Sequence, residues 1–232
     1  MPQRPIELHM WPTPNAFKVS IFLEEAGLPY DVKLVNIGKG EQFAPEFLRI
    51  SPNNRMPAIV DPDGPDGKPV SVFESGAILQ YLGRKTGKFY PSDERGRINV
   101  EQWVMWQMGG LGPMCGQAHH FRQYAPEKID YAVNRYTNEV NRLYGVLNRQ
   151  LDGKPYICGD YSVADMMSYP WVRPFERQGQ KLEDFAHLKA WFERMEARPA
   201  VKRGLEAGKD AQTMDLSTDK DAQKMLFGQT AR

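Results

Sequence analysis

The hydrophobic periodicity of the chain changes character near Pro91, and that change constrains the fold more than any other feature. Before it, Ile6, Leu8 and Met10 alternate with polar residues, and the short runs Tyr30 to Val35, Pro57 to Asp61 and Val70 to Phe73 likewise read as strands. Between them apolar residues recur at helical spacing: Val19, Phe22, Leu23 and Ala26, then Ile78, Leu79 and Leu82. Gly27 is placed to stop the first of these helices, and Phe43, Phe47 and Leu48 suggest a short helix. The turn-rich Pro62-Asp63-Gly64-Pro65-Asp66-Gly67 joins the last two strands as a hairpin. The order strand, helix, strand, helix, strand, strand, helix predicts an α/β domain with a small mixed sheet covered by helices.

Beyond Pro91 the strand signal disappears. Val100, Trp103, Val104 and Met108 form one helical stripe, and Ile129, Val133, Tyr136, Val140, Leu143 and Leu147 form a longer one that stops near Gly153. Ser162-Val163-Ala164-Asp165 resembles a capping box with Asp in place of Glu. Leu188, Trp191, Phe192 and Met195 mark a further helix, closed by Arg198-Pro199. The chain therefore divides into an α/β domain over residues 1–90, an all-α domain over 91–207 and a polar tail over 208–232, for which partial disorder is expected, the alternative being that it lies on a partner surface.

Bulk chemistry excludes several classes of function. A formal net charge of +1, with no basic run interleaved with aromatics, argues against nucleic acid or an anionic membrane as partner. No apolar stretch is long enough to span a bilayer, and Met1-Pro2-Gln3-Arg4-Pro5 lacks the apolar region of a signal peptide, so the expected location is cytoplasmic. Cys115 and Cys158 form no Cys-x-x-Cys motif and read as small buried hydrophobes in a reducing compartment. His119 and His120 are adjacent, so on a helix they diverge, and no metal site is expected. Gly109-Gly110-Leu111-Gly112-Pro113-Met114 lacks the ending of a phosphate loop and follows no strand; it reads as a helix kink with close backbone approach. Met105, Met108 and Met114 read as core or cleft lining.

Three stretches of the first domain carry chemistry. Trp11-Pro12-Thr13-Pro14-Asn15-Ala16-Phe17-Lys18 is a sharp strand-to-helix turn bearing a hydroxyl and an amide. The start of a helix favours an anion, through its free N–H groups and dipole. No thiol is present in the turn, so a reactive sulfur seated there arrives with a ligand. In Asn54-Arg55-Met56-Pro57-Ala58-Ile59, if the Met56–Pro57 bond is cis, the turn leaves the Met56 backbone available to an extended peptide. At Phe73-Glu74-Ser75-Gly76-Ala77-Ile78 a strand meets a helix, where Ser75 suits a carboxylate and Glu74 an ammonium. Taken singly, each residue has a plainer use. Thr13, Asn15 or Ser75 serves as a helix cap, Glu74 as a turn residue and Gln42 as surface. Arg55 serves to pin its loop, and Arg135 to make a salt bridge on its long helix.

Together, to about residue 207, these motifs resemble the cytosolic glutathione transferases, with Ser162–Asp165 matching that family's helix cap. Thr13 to Lys18, Gly40-Glu41-Gln42-Phe43-Ala44-Pro45-Glu46-Phe47-Leu48 and Gly109 to Met114 are most similar to the bacterial Nu class, the disulfide-bond reductase type related to the yeast prion-type nitrogen regulator. The resemblance implies a thioredoxin-like first domain, an all-helical second domain that forms the cleft for a second substrate, and a homodimer. It implies a glutathione-dependent disulfide reductase that activates the glutathione thiolate without a protein cysteine and needs no metal. Thr13 and Asn15 are then the catalytic residues, contacting the sulfur. Gln42 contacts the glycyl end, and Arg55, Met56 and Pro57 form the loop that pairs with the cysteinyl unit. Glu74 and Ser75 hold the γ-glutamyl end, and Arg135 reaches glutathione across the dimer. A small disulfide, a peroxide and an electrophile all remain open as second substrate. So do conjugation or peroxidase activity as the main reaction, a non-catalytic interaction module, and ligand storage in a Met- and Trp-lined cleft.

Overall fold

The computed structural model describes residues 4–211 and 219–230. Contacts group the chain into two compact units, Met1–Leu79 with Arg203–Arg232, and Gln80–Lys202. The first unit is built on a four-stranded sheet of order β2-β1-β3-β4, with β1 (Ile6–Met10) parallel to β2 (Tyr30–Leu34). β3 (Ala58–Asp61) runs antiparallel to both β1 and β4 (Val70–Phe73). Alternation along β1 is complete: Ile6, Leu8 and Met10 are fully buried, while Glu7 and His9 turn to the other face, where the His9 ring meets Phe47.

α1 (Pro14–Ala26) starts with Pro at its first position, where the missing N–H costs nothing. It ends at Gly27, whose left-handed backbone (φ 69°) turns its N–H back to the last carbonyls. α2 (Pro45–Leu48) packs Phe47 with Val35 and Ala58 as a second small core. α3 (Ser75–Thr86) follows β4 directly.

The second unit is helical, as the periodicity predicts. α4 (Glu94–Trp106) passes into a wide π turn over Gln107–Leu111 and on into α5 (Gly112–Gln123). A Cβ at Gly112 would lie 2.8 Å from the Gln107 amide nitrogen, and one at Gly116 would lie 3.3 Å from the Trp171 ring, so the glycine-rich segment is a site of close approach. α6 (Asp130–Gln150), α7 (Val163–Val172) and α8 (Ala186–Ala197) complete the bundle. The capping box at the start of α7 is fully formed, and Asp165 also accepts from Ile157 N (2.9 Å) and Trp191 Nε1 (2.8 Å).

Some expectations are corrected. Met105 is 57% exposed, which removes the core reading and leaves the cleft-lining one, because it lies a third of a turn off the buried Val100/Val104 stripe. Ile129 is 46% exposed; burial along α6 begins only at Val140. Cys158 is half-buried rather than buried. Ahead of the tail, α9 (Pro199–Leu205) brings Gly204 to α1, where Ser20 Oγ donates to Gly204 O at 2.6 Å. A Cβ at Gly204 would meet the Ile21 backbone at 2.7 Å. Within the tail, α10 (Lys220–Phe227) is capped by Asp219 and brings Met225 onto Gly40. Two helical turns are too short a stretch to show periodicity in sequence. The expectation for residues 212–218 lies outside the described residues.

Candidate functional site

The sheet register draws the three chemical stretches of the first unit together. Ala58 pairs with His9 on one side and Phe73 on the other. One residue back along β3, Met56–Pro57 therefore lies between the end of β1, which leads into the Thr13 turn, and the end of β4, which leads into Glu74-Ser75. The Met56–Pro57 bond is cis, and among the described residues the Met56 backbone makes no hydrogen bond within the chain.

Thr13 occupies the cap position of α1 with extended backbone (φ −136°, ψ 158°). Its carbonyl accepts from Phe17 N at 3.1 Å, yet its side chain makes no capping bond. The plain capping use of Thr13 is thus ruled out, and its half-buried hydroxyl is available. Asn15 is half-buried at the second helical position, in the turn where the N–H groups of Asn15 and Ala16 have no helical acceptor.

Glu74 caps α3 through its carbonyl, which accepts from Ile78 N at 2.9 Å. Its left-handed backbone (φ 67°) is unusual for a residue with a side chain. The exposed Glu74 carboxylate accepts from Asn53 Nδ2 at 3.2 Å. Ser75 is 3% exposed at the first position of α3, so it is not the cap. Its Oγ accepts from Lys18 Nζ at 3.2 Å. Lys18 is 1% exposed, and burial pulls its ammonium down to about 7, against the raising effect of Glu74. An exposed carboxylate above a buried ammonium and a helix start matches the zwitterionic end of an amino acid.

Gln42 is 1% exposed rather than surface. Its Nε2 reaches Ile37 O at 3.4 Å, while its Oε1 is buried with no partner among the described residues. Arg55 is exposed; Ser51 Oγ donates to its carbonyl at 2.7 Å, and its guanidinium makes no ion pair among the described residues. Arg135 stands apart on α6 of the second unit, exposed, where its charge helps lower the Glu139 carboxyl.

Sequence reasoning missed Lys18 and Asn53. Lys18 carried a signal: it precedes Ile21 and Phe22 by three and four residues, so it sits on the buried face of α1. The cysteines have no activating neighbourhood. Burial raises the Cys115 thiol well above its ordinary value and pushes Cys158 up to about 12. Burial and then Arg177 pull His119 down to about 4. Among the described residues no group of three or more potential ligands is placed to hold a metal. An open cavity of about 580 Å³ in the second unit is lined by Arg173, Phe175, Arg177, Phe192 and Glu196 among others. It contains none of the site residues and is not the Met- and Trp-lined cleft of the storage reading.

Two family models match this architecture: the glutathione S-transferase N-terminal domain over residues 5–84, and its C-terminal domain over 111–199. The chain belongs to the glutathione S-transferase family. It is 52% identical over 202 residues to the disulfide-bond oxidoreductase YfcG of Escherichia coli K12, covering 86% of this chain and 94% of that one. A Burkholderia graminis glutathione transferase, solved with two glutathione molecules per subunit, is 46% identical with a TM-score of 0.85, over 89% of this chain and 90% of that one. A Pseudomonas putida glutathione transferase, solved with one glutathione disulfide per subunit, is 42% identical with a TM-score of 0.84, over 87% of this chain and 91% of that one.

Proposed function

We propose that this transferase is a glutathione-dependent disulfide reductase whose sulfur nucleophile belongs to the ligand. The observation that carries the reading is the Thr13 hydroxyl, uncommitted at the start of α1, in a chain whose two thiols are both held protonated. Glu74 holds the γ-glutamyl ammonium, while Ser75 and the start of α3 hold its carboxylate. The cysteinyl backbone pairs with Met56 beside Pro57 and Arg55, and the buried Gln42 faces the glycyl end. Arg135 serves the glutathione of the second protomer of a homodimer.

A free thiol titrates near about 8.5, so little thiolate exists at neutral pH. Donation from Thr13 O–H and the Asn15 amide, with the α1 dipole, favours the thiolate, each tenfold gain requiring about 1.4 kcal/mol. The bound thiolate attacks a disulfide, forms one S–S bond and expels one thiolate, which takes up a proton. A second glutathione thiolate attacks the mixed disulfide, releasing the other thiol and glutathione disulfide. The relatives that hold two glutathiones, or one glutathione disulfide, per subunit support this stoichiometry.

Steady-state assays with glutathione and a dialkyl disulfide, a peroxide or an aryl halide test the reading. The disulfide should give the highest kcat/KM. Thr13→Ala and Asn15→Ala should each lower it about tenfold or more, the size expected for a lost donor to a charged group. Cys115→Ser and Cys158→Ser should leave it unchanged in folded protein. Loss of activity in either cysteine variant refutes the cysteine-free mechanism, and tight glutathione binding without turnover makes the chain an interaction module.

A further inference from the structure

The reductase reading does not use the buried Lys18 of the first unit. Lys18 is sealed beneath the start of α3, with its Nζ 3.2 Å from the Ser75 hydroxyl. Burying an ammonium is costly, and neither packing nor helix formation calls for one at that position. An ammonium has only donors. When Lys18 donates to Ser75 Oγ, the serine proton cannot also point at Lys18 Nζ. Neutral lysine reverses this, because its nitrogen can then accept the serine proton.

We infer that Lys18 is a positioning residue for the amino-acid end of glutathione: its ammonium holds the Ser75 hydroxyl proton toward the ligand carboxylate and supplies the buried positive charge which that carboxylate meets. The inference rests on the glutathione reading above and adds to it a charge beneath the site, acting through Ser75.

It makes binding proton-linked. Before ligand arrives, burial holds Lys18 at about 7, with Glu74 the charged group that opposes the shift. Other charged groups around α1 are engaged elsewhere. Glu24 pairs with Arg203 near the opposite end of the helix, and Glu7 with His9 on the Phe47 side of the sheet. Asp61 is buried at the far end of β3 from Pro57. A carboxylate arriving at Ser75 raises the Lys18 pKa, so binding takes up a proton just above neutrality. Affinity is then full below pH 7 and falls as pH rises above it.

S-methylglutathione isolates this effect, because it keeps both ends of the ligand but has no thiol to titrate. Its dissociation constant for the full chain should rise about five- to tenfold from pH 6 to pH 8, the range set by one proton bound more tightly in the complex. Lys18→Met, close in volume, should weaken binding at pH 6 about tenfold and flatten the pH profile. In a Ser75→Ala background the same substitution should have a much smaller effect, since the relay is already gone. Calorimetry of the unmutated chain at pH 7.5, in buffers of different ionisation enthalpy, should show net proton uptake and requires no variant to fold. A flat profile and no uptake in the unmutated chain, or equal binding by Lys18→Met at both pH values, overturns the lysine role and leaves the glutathione reading standing. No binding by the unmutated chain overturns both.

Discussion

At the residue scale, Lys18 has a consequence for stability as well as for binding. In the unfolded chain its ammonium titrates near 10.5; folded, near 7. Below pH 7 both states carry the proton, and folding bears the full cost of burying the charge. Between pH 7 and about 10.5 the unfolded state binds more protons, so stability rises with pH. Lys18→Met removes that cost. It should therefore stabilise the chain most at pH 6, by about 1–4 kcal/mol, as hydrophobic replacement of buried ions does. The gain should shrink toward pH 10, measured by urea unfolding at several pH values. A variant more stable yet poorer at binding would show that this position is held by function rather than by folding. The same residue shows where sequence reading stops. Thr13, Met56, Glu74 and Ser75 are legible because a short motif fixes each beside its neighbours in the chain. Lys18 is paired through Ser75, 57 residues away, and no local pattern announces that contact.

At the element scale, periodicity made the strands and helices legible, and the Gly109–Met114 kink appears as a π turn. The register that sets Ala58 between His9 and Phe73 was not legible, because strand neighbours distant in sequence are chosen by the whole sheet. The start of α7 is the clearest case of local chemistry fixing an element. Asp165 accepts from Ser162 N (3.0 Å), Ile157 N and Trp191 Nε1, joining the cap, the preceding loop and α8. Burial still raises its carboxyl to about 6, outweighing those donors. Asp165→Asn would turn an amide N–H toward one of these buried donors and leave it unpaired. Unfolding in urea should show a loss of about 2–4 kcal/mol. Glutathione affinity of the remaining folded protein should be unchanged, since Asp165 belongs to the second unit and to no binding element.

At the scale of the whole molecule, two exposed apolar side chains fall on one helix face. Ile98 and Met105 are seven residues apart on α4, hence on one face, and are 51% and 57% exposed. Sequence spacing reads Met105 as core or cleft lining; a buried position in the isolated protomer and one buried by a second protomer carry the same apolar signal. The proposed homodimer gives that face a role. The unmutated chain should sediment as a dimer at micromolar concentration, and Ile98→Glu with Met105→Glu should shift it to monomer, because two charges buried at an apolar interface have no partner. The assignment of Arg135 to the neighbouring protomer's glutathione then becomes measurable. In the dimer, Arg135→Ala should raise the KM for glutathione about threefold to tenfold, the range of a charge-assisted hydrogen bond. In the monomeric variant the same substitution should have no effect, because the site it serves is no longer within reach. An equal effect in both backgrounds would place Arg135 at its own protomer's site, and a monomer from the unmutated chain would remove the dimer and the shared site together.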